Sequence, residues 1–191
     1  MPLDLNRRKF IFTSLALAVP LAACSTTPPA SGIFIQSLSA PYRLDSGDRL
    51  RITVFDQPSL TNTYNVDQSG YLAFPLIGSV MARGKTLKEL EVAIASQLRK
   101  GYLRDPDVTV EVDRYRPIYL MGEVGQPGQY SYAPGMTVQS AIAAAGGFTP
   151  RALQTGADIS RKINGQVVTG RVAITDAILA GDTIYVRERL F

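Results

Sequence analysis

The sequence predicts an α+β protein of two small β-rich domains behind a secretory signal peptide. Three observations lead there. Short segments of alternating apolar and polar residues, punctuated by Gly, Asn and Asp turns, recur from residue 41 onward. Two stretches carry helix-start signals with 3.6-residue apolar spacing. The first 23 residues have a basic start, an apolar middle and a small-residue end.

In the first domain, Tyr42-Arg43-Leu44 and Leu50–Val54 read as strands around the turn Asp45-Ser46-Gly47-Asp48, with Leu50, Ile52 and Val54 on one face. Tyr64-Asn65-Val66 and Tyr71–Phe74 read as further strands around Asp67-Gln68-Ser69-Gly70, and Pro75 confines any continuation to an edge. Thr86-Leu87-Lys88-Glu89 has the form of a capping box. The helix it opens carries Leu87, Leu90, Ile94 and Leu98 as its apolar stripe and stops near Gly101. Val108–Val112 alternates once more.

In the second domain, Ile118–Gly122 reads as a strand, followed by a turn rich in Gly and Pro and by Gly128-Gln129-Tyr130. Thr137 caps a short helix with Val138, Ala141, Ile142 and Ala145 inward, closed by Gly146-Gly147. Residues 158–163 and 166–168 flank Asn164-Gly165, a strong hairpin signal, and Thr183–Val186 is the last strand. Gly47-Asp48-Arg49-Leu50-Arg51-Ile52 echoes Gly181-Asp182-Thr183-Ile184-Tyr185-Val186. Local turn chemistry used twice accounts for the echo, and no duplication is inferred.

Composition excludes much chemistry. The 191 residues contain no histidine and one cysteine, which removes Ser-His-Asp and Cys-His catalysis, His-ligated zinc, internal disulfides and multi-thiolate metal sites. No catalytic residue, cofactor site or metal site is assigned. Of the formal charge of +4, Asp4, Arg7, Arg8 and Lys9 supply +2, and the +2 that remains is no footprint for nucleic acid.

The apolar run from Phe10 to Leu21 is too short for a membrane span, which needs about 20 apolar residues. Residues 1–23 are therefore expected to be a signal peptide. Leu21-Ala22-Ala23-Cys24 resembles the lipobox of bacterial lipoproteins, which implies that Cys24 is the lipidation site. A thiolate is the nucleophile that accepts the lipid, and several acyl chains anchor where one is marginal. Ser25 after the cysteine points by resemblance to the outer membrane. Asn6-Arg7-Arg8-Lys9-Phe10-Ile11 fits both a twin-arginine signal and a general basic start. Residues 24–40 read as a lipidated flexible tether.

Four ordered stretches resemble the polysaccharide export (Wza-like) family of outer-membrane lipoproteins. They run from Tyr42 to Val54, from Gly70 to Gly78, from Gly84 to Leu87 and from Asp105 to Val110. Gly122-Glu123-Val124, Pro127–Tyr130, Thr137-Val138 and Ala144–Gly147 resemble the SLBB β-grasp module of that family. The resemblance implies a polysaccharide export domain over 41–113 and an SLBB β-grasp-like domain over 114–191. It implies a homo-oligomeric ring, tethered to the outer membrane and facing the periplasm, through which capsular polysaccharide or exopolysaccharide passes without covalent chemistry. It also implies an inner-membrane polysaccharide co-polymerase as partner. Long family members end in an amphipathic membrane helix. Here the sequence stops five residues after Val186, so this reads as a short form that uses a separate outer-membrane channel.

Two rival readings compete. A carboxylate glycosidase would draw on Asp48, Asp56, Asp67, Asp105, Asp107, Glu111, Asp113 or Glu123, but several of these sit in evident turns. A lipid-anchored binding module would capture a soluble ligand or polysaccharide through residues 118–168 without forming a conduit. Most of the nine tyrosines fall at strand positions, where core or rim packing is their ordinary role.

Overall fold

Alternation at period 2 drives Leu50, Ile52 and Val54 to one side of strand β1 (Arg49–Val54), where all three are buried. We describe residues 40–163 and 165–190 in a computed structural model. The expected signal peptide, Cys24 and the expected tether up to residue 39 lie outside the described residues.

β1 is the centre of a three-stranded antiparallel sheet, between β2 (Asn62–Asn65) and β5 (Val108–Arg114). Ile52 stands opposite Val110 and Val54 opposite Val108, so the inward faces of β1 and β5 coincide. A register irregularity at Arg49/Leu50 marks the end of this pairing nearest the second domain. β3 (Tyr71–Phe74) and β4 (Gly78–Met81) form a separate hairpin. Helix α1 (Leu87–Leu98) opens with the anticipated capping box: Thr86 Oγ1 accepts from the Glu89 backbone N–H and the Glu89 carboxylate accepts from that of Thr86. Leu90, Ile94 and Leu98 are buried in the first core. At about 1.5–3 kcal/mol per buried side chain, this face outweighs the helix's intrinsic propensity.

The structure differs from the sequence reading in three places. Tyr42–Leu44 joins no ladder: Leu44 N–H donates to Lys85 O at 2.9 Å and Leu44 O accepts from Gly84 N–H at 2.8 Å. The facing segment is a turn, so no neighbouring residue can extend the pairing. β4 lacks a sequence signature of its own. Its connection to β3 runs through Leu76, whose φ is +68° while Ile77 N–H bonds to Pro75 O, a rare γ-turn geometry. The second strand also shifts, from 64–66 to 62–65, because Val66 N–H turns away to Asp48 O.

The second domain holds β6 (Ile118–Gly122), β7 (Gly128–Tyr130), α2 (Val138–Ala144), β8 (Gly156–Ile163), β9 (Gln166–Ala173) and β10 (Thr183–Val186). Its five strands lie in the order β7-β6-β10-β8-β9. β10 runs parallel to β6 and antiparallel to β8, so two hairpins grip a central strand. The β8–β9 register runs from Gly156/Ala173 to Ile163/Gln166, leaving two residues for the turn. α2 packs Val138, Ala141 and Ile142 onto a second core with Ile118, Leu120, Ile159, Ile184 and Val186. Two β-rich domains, each with its own core and one helix, constitute the α+β fold. Among the described residues, no helix is long and apolar enough to cross a membrane.

The candidate functional site: a cleft at the domain junction

The Gly-Asp echo is built twice as the same loop. Asp48 N–H donates to Asp45 O at 3.2 Å, and Asp48 Oδ2 accepts from Asp45 N–H at 3.0 Å. Asp182 N–H donates to Leu179 O at 3.2 Å, and Asp182 Oδ2 accepts from Leu179 N–H at 2.7 Å. Each carboxylate closes its turn from inside, as short polar side chains do in tight turns. Gly47 and Gly181 have φ of +92° and +85°, a region costly for any residue with a Cβ.

Arg116, between β5 and β6, lies against both loops. A methyl group on Gly47 would stand 3.6 Å from Arg116 Cβ, and one on Gly181 only 2.7 Å from Arg116 Nε. Arg116 ties the connecting segment to Asp48: its backbone N–H reaches Oδ1 at 3.0 Å and Nη1 reaches Oδ2 at 3.1 Å. The Tyr42 hydroxyl donates to both Asp48 oxygens at 2.8 Å and accepts from Arg116 Nη1 at 2.8 Å. Asp182 instead meets Arg161 in a two-pronged bond, Nε to Oδ1 at 2.8 Å and Nη2 to Oδ2 at 2.6 Å. Asp48 and Asp182 are 0% and 1% exposed, so these partners are what make their burial tolerable.

Between the domains opens a cleft of about 530 Å³. Tyr42, Arg43 and Asp45 line one wall, Tyr132, Arg161, Lys162 and residues 179–182 the other, and Tyr115 and Arg116 the floor between them. Tyr42 and Tyr115 meet edge to face at 5.0 Å, and Tyr115 and Tyr132 at 5.4 Å, a run of three rings. Arg116 stands 5.4 Å over the Tyr42 ring. Lys162 Nζ bridges to Asp45 Oδ2 at 3.3 Å, joining the two walls.

Burial pushes the Tyr42 phenol well above its ordinary pKa; Arg116 opposes that and Asp48 adds to it, so the hydroxyl stays a donor. Burial also pushes the Tyr132 phenol up. Burial would raise the Asp45 carboxyl, but the Ser46 N–H, Arg83 and Lys162 together hold it below the usual carboxylate range. The cleft therefore presents the Asp45 carboxylate in its charged form beside the Tyr42 and Tyr132 phenols held in their protonated form.

The acids considered for hydrolysis are placed elsewhere. Asp48 is locked under the junction; Asp113 pairs with Arg49 and Glu123 with Arg151. Asp67 accepts from the Tyr71 N–H, and Asp56, Asp105, Asp107 and Glu111 face solvent. None of the eight lines the cleft. Among the described residues, no three metal-ligating side chains converge. Sequence reasoning did not single out Tyr115, Arg116, Tyr132, Arg161 or Lys162, although the Gly-Asp echo marks both sides of their cleft.

A domain built on a small antiparallel sheet with one capped helix, followed by a β-grasp domain with a parallel central pair, defines a two-module class of protein. Residues 36–113 match the family described as polysaccharide biosynthesis/export protein, and residues 117–172 match the SLBB domain. The chain belongs to the polysaccharide export family, in the Wza-like arrangement with one SLBB domain. It is 38% identical over 155 residues to the exopolysaccharide production protein ExoF of Rhizobium meliloti, covering 75% of this chain and 35% of that one. It is 35% identical over 137 residues to the EPS I polysaccharide export outer membrane protein EpsA of Ralstonia nicotianae, covering 58% and 35% respectively. With the polysialic acid transport protein KpsD of Escherichia coli it shares 25% identity over 111 residues, 57% of this chain and 20% of the other. The chain spans about a third of the length of ExoF and EpsA.

Proposed function

We propose that this protein serves the export of capsular polysaccharide or exopolysaccharide as a ring of identical subunits in the periplasm, tethered to the outer membrane through lipidated Cys24. Its two units, 41–113 and 114–191, form the wall of a conduit and perform no covalent chemistry. An inner-membrane polysaccharide co-polymerase and a separate outer-membrane channel are its partners. The observation that carries the reading is the ordered pairing of the export domain with one SLBB domain, in a chain whose relatives are named for exopolysaccharide production and polysaccharide export. A closed ring needs two different faces on each subunit, and two domains joined at a fixed junction supply distinct faces.

The test is the mass of the lipidated protein in mild detergent. A discrete high-order species is expected, and a strictly monomeric protein defeats the ring. Deleting the gene is expected to abolish surface polymer. Cys24→Ala is expected to leave the protein in the soluble periplasmic fraction without acyl label. The junction cleft favours a second reading, a lipid-anchored module that binds polysaccharide without enclosing it, and the same mass measurement separates the two.

A further inference from the structure

The cleft has spare hydrogen-bonding capacity on its cations, and the choice of a saccharide as its ligand rests on the proposed export role. Four cations line it (Arg43, Arg116, Arg161 and Lys162), paired in turn with Glu89, Asp48, Asp182 and Asp45. The Lys162 ammonium has three N–H donors, gives one to Asp45, and its side chain is 51% exposed. Arg116 engages Tyr42 and Asp48 through Nη1, while Nη2 makes no hydrogen bond among the described residues. Among the described residues no buried side-chain nitrogen or oxygen lacks a partner, so Nη2 is at the wetted surface. Beside these donors stand the half-buried rings of Tyr115 and Tyr132.

A sugar ring offers a C–H face to an aromatic ring and hydroxyls to polar groups, and a sugar acid adds one carboxylate for charge-assisted bonds. A volume of about 530 Å³ is in the range of small-ligand sites. We infer that the junction cleft is a saccharide subsite for a carboxylate-bearing sugar unit, its ring against Tyr132 and its carboxylate drawn to Lys162 and Arg116. The bound unit competes with Asp45 for Lys162, so occupancy loosens the Lys162–Asp45 ion pair that joins the two walls.

The test titrates the full lipidated chain in detergent micelles with trigalacturonate and with neutral maltotriose. Affinity is followed by calorimetry, and the site by chemical-shift changes at residues 115–116 and 161–163. Trigalacturonate is expected to bind there at least tenfold more tightly than maltotriose, and more weakly at high salt. Lys162→Gln is expected to cost the acidic sugar about tenfold and maltotriose nothing, since it removes a charge-assisted bond at a half-exposed position. Tyr132→Ala is expected to weaken both sugars. Absence of binding, equal affinity for the two sugars, shifts confined to other surfaces, or an unaffected Lys162→Gln each overturns the subsite. Failed binding alongside lost surface polymer in the deletion strain sinks the subsite and spares the export reading. Selective binding alongside normal secretion establishes the subsite and sinks export.

Discussion

Asp48 and Asp182 sit in the same turn, on the same side of a strand, and are equally hidden, yet they are used differently. Asp182 faces Arg161 from β8 of its own domain, and that side chain is only 4% exposed. Asp48 faces Arg116 from the segment that leads into the other domain, and this side chain reaches water at 23% exposure. The enclosed pair organises one domain's interior. The half-open pair, with Tyr42 and the Arg116 backbone as additional donors, ties two domains together and keeps cation surface available in the cleft. Placing the partner on a different segment converts a local turn into a junction.

The largest expected effect breaks the enclosed pair. Asp182→Ala leaves the Arg161 charge buried without this carboxylate and should cost about 3–5 kcal/mol, read from a chemical denaturation midpoint. Asp48→Ala should cost less, about 2–3 kcal/mol, because Arg116 can turn further into solvent. Equal losses would show that the two pairs are equivalent after all. Next in size is the glycine comparison. A side chain in the left-handed region costs about 1–2 kcal/mol at either site. Gly181→Ala adds the displacement of Arg116, so it should exceed Gly47→Ala and also weaken the grip on Asp48.

The smallest effect is a pH dependence. Asp45 has a folded pKa below its unfolded value of about 3.9, so its contribution is present above that value and lost as pH falls through the folded pKa. Stability should therefore decline below about pH 4, and more gently in Asp45→Asn. An unchanged slope in that variant would remove Asp45, and with it the link to Lys162, from the junction's energetics.

Much of the fold was legible because its signals are local. The Thr86 and Thr137 caps, the stripe Leu90-Ile94-Leu98 and the alternation in β1 and β5 need only neighbours within one turn or two residues. β4 was not legible, since its turn relies on a leucine at positive φ where glycine or asparagine would have announced it. The cleft was not legible for a different reason. Its lining comes from residues within 42–45, 115–116, 132–134 and 161–163 with 179–182, and only three-dimensional pairing brings those together. The echo of Gly47-Asp48 and Gly181-Asp182 was visible, but turn chemistry alone explains it unless Arg116 is known to touch both.

The place of β10 has a consequence for biogenesis. The tenth strand in chain order fills the slot between the sixth and eighth, so the second sheet gains its middle rib only after every other rib has been made. Until then β6 and β8 present open edges, which are templates for pairing with other chains. A nascent polypeptide truncated before residue 183 should thus clump rather than dissolve, through its second domain, while the first domain, with a core and sheet of its own, does not wait for that last strand.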